Sequence, residues 1–373
     1  MKKTTYKMKL AIIGASTGQL PLCLKAKERG IYTICFAWPE GAVCKEFVDK
    51  FYPVSIIEKD KILSICKSEK IDGVVSNGSD LTAEITSYIA TCMNLHGINY
   101  DSFCQIKDKS KTRLLTKNIN GLSTVKVFSP EDMDIPFPCI VKPKTGSAKK
   151  GVSLAYNKEE LSAAINYSNK VTDCEIMIEE YVSGAEISVE SISYEGMHYI
   201  IQITDKENSG APHFVELSHH QPSKISDKLQ KKIKLLIPSI LNNVGIDNGA
   251  THIELKIENK EGTIHLIEIN PRGGGDEISN QLVELSTGYD YLSAMIDVAL
   301  GIFKAPDIKN IAYSGIYFLC AQSASRLSFF QKLDNQPWLI EKKFNPYTQL
   351  SESSGNYDRN GYFIYQSHCK III

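Results

Sequence analysis

The stretch THIELKIENKEGTIHLIEINPRGGG, residues 251–275, reads as two strands joined by a short polar turn and closed by an arginine and three glycines. Apolar residues alternate with polar ones along both halves, the period of a half-buried strand. If Lys260, Glu261 and Gly262 form a three-residue loop with the glycine left-handed, the pairing sets Glu254 directly opposite Glu268. Side chains alternate across a strand, so Asn270 shares the face of Glu268. Two carboxylates and an amide oxygen then converge. Like charges directly opposite one another destabilise a sheet. A divalent cation removes the conflict, and this all-oxygen set suits Mg²⁺ or Mn²⁺ bridging nucleotide phosphates. The competing reading is a solvent-facing hairpin with casual acids, because Lys256 and Glu258 fall on the same nominal face.

Beyond the hairpin, Arg272 is placed to grip a transferring phosphoryl group or the oxyanion of a tetrahedral intermediate. Gly273, Gly274 and Gly275 would let a substrate come close to the backbone. Upstream, CIVKPKTGSAKKGVSLA (139–155) places Lys142 in a strand ahead of a loop. In that loop Gly146, Ser147, Ala148 and Gly151 allow backbone N–H groups to meet an anion, with Lys144, Lys149 and Lys150 adding charge. It is not a Walker A loop, because no Gly-Lys-Ser/Thr follows, and a basic hairpin tip is the plain alternative. In MIEEYVSGAEISVE (177–190) a strand breaks at SGAE and resumes, leaving backbone groups that can read an adenine edge and an acid able to hold ribose hydroxyls. Two ordinary strands around a glycine turn would look the same.

The opening of the chain alternates strand, glycine turn and helix, with a strand at about 72–76 and a helix at about 80–93, a pattern that predicts a parallel α/β sheet over the first hundred residues. GASTGQ (14–19) lacks the third glycine of a dinucleotide fingerprint, and the next strand ends in Phe36, Ala37 and Trp38 rather than an acid. A tight strand-to-helix turn is the expectation there, with a nicotinamide oxidoreductase as the rival class. A helix over 226–244 should be kinked or interrupted by Pro238, and another is expected at about 289–300. The last sixty or so residues read as a small β-rich region. His219 and His220 precede a proline without HxH or HExxH spacing, so no zinc site is expected; a pocket-lining loop and a surface pair both remain open.

With 42 basic and 43 acidic residues in 373 there is no net field to attract nucleic acid or anionic lipid. The ten cysteines form no CxxC pair and suit reduced thiols of a cytoplasmic protein. The basic start is followed by too short an apolar run for a signal peptide, and no segment is apolar enough to span a membrane.

In order, DKSKTR (108–113), VKPKTGSAKKGVS, EEYVSGAE, IELK and LIEINPRGGG form a succession that resembles the ATP-grasp superfamily. It is most similar to the carboxylate–amine ligases, including those that join amino acids, and HFVELSHHQPS (213–223) looks like that branch. The resemblance covers about residues 1–305 and implies an N-terminal parallel α/β domain (1–106), a two-part ATP-grasp body (107–305, its lid about 118–185) and a small C-terminal region (306–373). It implies that Lys109 and Lys142 reach the ATP phosphates under the loop carrying Gly146, Ser147 and Gly151. Glu179, Glu180, Tyr181 and Val182 would face adenine, and Glu186 the ribose. Glu254, Glu268 and Asn270 would hold magnesium, and Arg272 would stabilise the acyl-phosphate and tetrahedral stages. Lys111 lies two residues after Lys109, leaving open which lysine meets phosphate. The implied partners are a small carboxylate and an amine, with a homodimer allowed. Biotin-carboxylase-like and nucleotide-pathway synthetases share these motifs, and a non-catalytic nucleotide sensor is a further alternative.

Overall fold

The computed structural model describes residues 7–146, 149–212, 214–258, 262–344, 349–353 and 358–373. Four parallel strands open the chain: β1 (Lys9–Ile13), β2 (Tyr32–Ala37), β3 (Lys50–Pro53) and β4 (Gly73–Val75), in the order β3-β2-β1-β4. Helices α1 (Leu20–Glu28), α2 (Lys59–Glu69) and α3 (Asp80–Met93) connect and cover them, as the alternating pattern requires. The GASTGQ turn is the expected tight connection: Gly14 has φ +90°, and the Gln19 amide donates to the carbonyl of Asn77 at 2.7 Å.

Helices α4 (Tyr100–Lys107) and α5 (Lys109–Thr116) follow, and Asp108 caps α5 by accepting from the N–H groups of Ser110 and Lys111. A second, antiparallel sheet holds β5 (Val127–Phe128), β6 (Cys139–Pro143), β7 (Ser153–Ala155) and β8 (Ile176–Glu180) in the order β5-β8-β6-β7. Helix α6 (Lys158–Val171) packs on it through Leu161 and Ala164 against Cys139, Val141, Ala155 and Ile178.

The third sheet has eight strands. β9 (Ala185–Tyr194), β10 (Met197–Asn208), β11 (Glu216–Gln221), β12 (Gly249–Glu258), β13 (Thr263–Asn270), β14 (Tyr313–Leu319), β15 (Leu339–Phe344) and β16 (Gly361–Ser367) lie in the order β13-β12-β9-β10-β11-β14-β16-β15. The C-terminal strands thus extend this sheet rather than forming one of their own. One face is apolar: Ile187, Val189, Ile253 and Leu255 meet Ile233, Leu236, Ile237, Ile240 and Leu241 of α7 (Asp227–Asn243). This helix runs through Pro238 without a break, so of the expected kink or interruption the interruption does not occur. Proline removes one backbone hydrogen bond, while buried residues on both sides of it hold the two halves to the same sheet. The opposite face is divided. Ala250 and Ile192 pack on Tyr291, Met295 and Ile296, while Glu186, Glu190 and Glu254 occupy the rest. Tyr291, Met295 and Ile296 belong to α9 (Tyr291–Ala299), which follows the short α8 (Val283–Thr287) and also meets Leu10 and Ile12 of the first sheet. No described helix is long and apolar enough to cross a membrane.

Gly184, in the break between β8 and β9, has φ +120°, and a Cβ there would lie 2.1 Å from the carbonyl oxygen of Ile257. We expect Gly184→Ala to destabilise the protein by about 1–3 kcal/mol through forced backbone movement, read as a lower urea midpoint at unchanged slope.

Candidate functional site

The β12–β13 hairpin sets Glu254 opposite Glu268, as the sequence predicted but by a different route, and it also sets His252 opposite Asn270. Leu255 pairs with Leu266 and Glu258 with Thr263, so four residues, not three, separate the strands. Of the expected loop, Lys260 and Glu261 lie outside the described residues. A bulge at Ile267 restores the register before Glu254 is reached. Direct opposition places the two Cβ atoms about 5 Å apart.

These residues line one cavity of about 490 Å³ together with Lys109, Lys142, Gly146, Glu179, Glu180, Tyr181, Val182, Glu186 and Arg272. Gly151 is buried behind its rim against Pro143, and Ser147 lies outside the described residues. Capping by Asp108 sets the first turn of α5 so that Lys109 is buried while Lys111 is exposed, which settles which lysine faces the cavity. The Lys109 Nζ lies 3.1 Å from Glu268 Oε1 and donates to the carbonyl of Gly146 at 3.0 Å.

Glu179 is buried and paired twice, to Lys142 at 2.5 Å and to the Nε of Arg113 at 2.9 Å. Arg113 also donates to the carbonyl of Ile267 at 2.7 Å, tying α5 to the bulge. Burial pushes Lys142 down to about 8, against the pull of Glu179 and helped by the charges of Arg113 and Lys109. Burial would raise Glu179, yet the two cations hold it below the usual carboxylate value. Its carboxylate is therefore committed within the protein, while the residue lines the cavity together with Glu180, Tyr181 and Val182. The neighbouring Glu180–Val182 segment lines the cavity beside Val125, Ile140 and Phe214, an apolar slot, while the N–H groups of Glu180 and Tyr181 donate to the carbonyls of Lys126 and Pro138 and the carbonyl of Val182 accepts from Lys256.

Three carboxylates rise from neighbouring parts of the large sheet. Oxygens of Glu186 (β9), Glu216 (β11) and Glu254 (β12) all lie within 4.8 Å of one another, and the three residues are buried. Two lysines balance them. Lys206 of β10 reaches Glu254 at 2.6 Å, Glu216 at 3.2 Å and Glu186 at 3.5 Å. Lys149 reaches Glu186 at 3.1 Å and Glu216 at 3.4 Å. Burial raises Glu186, but the charges of Lys149 and Lys206 overcome it and bring its pKa to about 2. Glu254 is likewise held well below its ordinary value against burial, chiefly by Lys206 and Lys149. Glu254 belongs both to this cluster and to the expected set with Glu268 and Asn270. The donors are hard oxygens supplied by converging acids, a chemistry that fits a Mg²⁺- or Mn²⁺-sized cation.

At the end of β13, the Nε of Arg272 donates to Asp80 at the start of α3, and its Nη1 to the carbonyl of Gly273 at 3.0 Å. The glycines correct an expectation. A Cβ on Gly273 would lie 2.5 Å from Asn77 Oδ1, and one on Gly274 would lie 2.8 Å from His252 Nδ1 and 2.9 Å from Glu190 Oε1. Both are small because the protein itself crowds them, and open space surrounds only Gly275. Asp276 follows with φ +50° and is held by Arg359, which donates from Nη1 at 3.0 Å and also from Nη2. His219 Nε2 lies 3.4 Å from the same carboxylate. His220 points the other way, between Tyr365 and Ser218, and burial drives its pKa to about 2, so it stays neutral. The pair is neither a surface feature nor a loop; strand alternation sends only His219 to the cavity.

Sequence reasoning missed Glu216, Lys206, His252, Asp276 and Arg359. Lys206 carries a signal in the alternation of β10, whereas Glu216 reaches the cavity face only through the register shift beside Leu217, and Arg359 carries none.

Residues 135–281 match the ATP-grasp domain family. The carbamoyl phosphate synthase large chain of Clostridium perfringens (strain 13 / Type A) is 24% identical over 316 residues, 79% of this chain and 28% of its own length. This chain therefore spans less than a third of that relative. An L-amino acid ligase from Bacillus licheniformis superposes with a TM-score of 0.79 at 21% identity, covering 98% of this chain and 95% of that one. N5-carboxyaminoimidazole synthetase from Staphylococcus aureus, complexed with ADP, superposes with a TM-score of 0.76 at 15% identity, with coverage of 98% and 95%. These likenesses extend the shared fold over the whole chain.

Replacing Glu179 by glutamine leaves two buried cations without their carboxylate. We expect a loss of about 3–5 kcal/mol, measured by urea unfolding at pH 7.

Proposed function

We propose that this chain, which carries an ATP-grasp domain, joins a small carboxylate to an amine at the expense of ATP, releasing ADP and phosphate. The supporting observation is the convergence of Lys109, Lys142, Glu254, Glu268, Asn270 and Arg272 on one cavity with an apolar slot at one end. A phosphate tail entering that cavity meets two buried ammonium groups, while the adenine fits the slot beside Glu180, Tyr181 and Val182. Glu186 is the acid for the ribose, and Gly146 and Gly151 shape the loop above the phosphates.

Glu254, Glu268 and Asn270 would hold magnesium, which when bound neutralises phosphate charge and aligns the γ-phosphate for in-line attack. The remaining work belongs to the chain. Lys142, pinned by Glu179, and Lys109, pinned by Glu268, hold their charges in place before the nucleotide arrives. A substrate carboxylate oxygen attacks the γ-phosphorus, the bond to ADP breaks, and an acyl phosphate results. The amine nitrogen then attacks the acyl carbon; the carbon–oxygen bond to phosphate breaks, phosphate leaves and the amine gives up a proton. Arg272, fixed by Asp80, faces the oxyanion of that second step. No cysteine or serine nucleophile is needed.

Screening small carboxylates and amino acids for ADP release, with hydroxylamine as the amine, tests the reading. We expect one acid to give a hydroxamate in step with ADP; ATP turnover without any hydroxamate would overturn the acyl phosphate. We expect Glu268→Gln to lower ADP formation by at least about 100-fold with an unchanged circular dichroism spectrum. Because Lys142 loses its proton as pH rises through about 8, ADP affinity should decline above that pH, and Lys142→Met should remove the break.

A further inference from the structure

His252 and Glu190 are buried on the site face of the large sheet, paired across β12 and β9. The His252 Nδ1 is bonded to Glu190 Oε1, and its Nε2 stands 3.4 Å from Glu254 Oε1. The second oxygen of Glu190 accepts the N–H of Gly274 at 3.0 Å. The carbonyl of Gly274 is in turn held by the Ser279 hydroxyl at 2.6 Å. One histidine and one acid therefore stand between a carboxylate of the cation cluster and the backbone of the loop after Arg272. Neither needs to touch a ligand to do so.

We infer that His252 and Glu190 are positioning residues that couple the orientation of Glu254 to the conformation of the Gly273–Gly275 loop, so that cation binding and the substrate side of the cavity adjust together. The inference rests on the metal–nucleotide reading of the site. Its geometry is stringent at Gly274, where an added methyl group would press first on both members of the pair. Gly274 has no positive φ to strain an alanine, so the push on the pair is the main effect of the change.

The test is a titration of Mn²⁺, followed by the paramagnetic resonance of the free ion, at a fixed saturating concentration of a non-hydrolysable ATP analogue. We expect Gly274→Ala and His252→Ala each to raise the half-saturating Mn²⁺ about tenfold, the range of outer-shell ligand changes. In the double variant the effect should match His252→Ala alone, because the pushed ring is gone. A folded Gly274→Ala protein with the native Mn²⁺ response, or single effects that multiply in the double variant, would overturn the coupling. Should Gly274→Ala not fold, His252→Ala carries the test alone, and a native Mn²⁺ response in it overturns the inference. A native protein that binds no Mn²⁺ with nucleotide would instead overturn the functional reading beneath it.

Discussion

The ammonium of Lys206 is the charge on which the site depends. Three buried carboxylates so close on one sheet face repel strongly in a medium less polar than water, and burial alone would raise the pKa values of Glu186 and Glu254. Lys206 touches all three from the strand between two of them, so β9, β11 and β12 can stand together, with the carboxyls of Glu186 and Glu254 held well below their ordinary values. The same rule recurs around the cavity with cations from other elements. Lys109 of α5 answers Glu268, and Arg113 of α5 with Lys142 of β6 answers Glu179. Because each pair joins two separate elements, docking the helix, the β5–β8 sheet and the large sheet is the act that completes the site. Isolated pieces would carry uncompensated buried charge.

Much of this was readable one hairpin at a time. The opposition of Glu254 and Glu268 follows from alternation and a short turn, and it survives in the fold even though the turn itself differs. The extra residue of the turn and the bulge at Ile267 compensate, one residue each. Such cancellation is not accidental in a strand with one polar and one apolar face: a slip of one residue would have buried Glu268 against α7 and exposed Ile269. Facing requirements therefore protected the pairing where turn chemistry misled.

Residues supplied by strand order were not readable. Nothing local tells that β11 lies beyond β10 on the side away from β9, so Glu216 joins the carboxylate cluster only once the sheet is assembled. Arg359 is more remote still. It reaches Asp276 from just before β16, across a sheet neighbour that returns from the far end of the chain. His252 was hidden differently, since its alternation with Glu254 is plain but its partner Glu190 comes from the preceding strand pair. Pro238 misled in the opposite sense, because local backbone chemistry was outweighed by a continuous apolar face.

The three glycines after Arg272 carry the most instructive division. As sequence they invite one explanation, close approach of a substrate, yet two of them are small for reasons internal to the protein. Gly273 clears Asn77, in the loop that follows β4, and Gly274 clears His252 and Glu190 of the third sheet. The glycine loop is thus wedged between that loop and the third sheet, braced by Ser279 and Asn77 on one side and by a buried acid on the other. With its first two residues fixed, the loop can differ toward solvent only from Gly275 onward, where Asp276 is already anchored by Arg359 and His219. In the proposed reaction, discrimination among substrates would then fall to a short edge, Gly275 to Asp276 with Arg359 and His219 behind it, rather than to the glycine run as a whole.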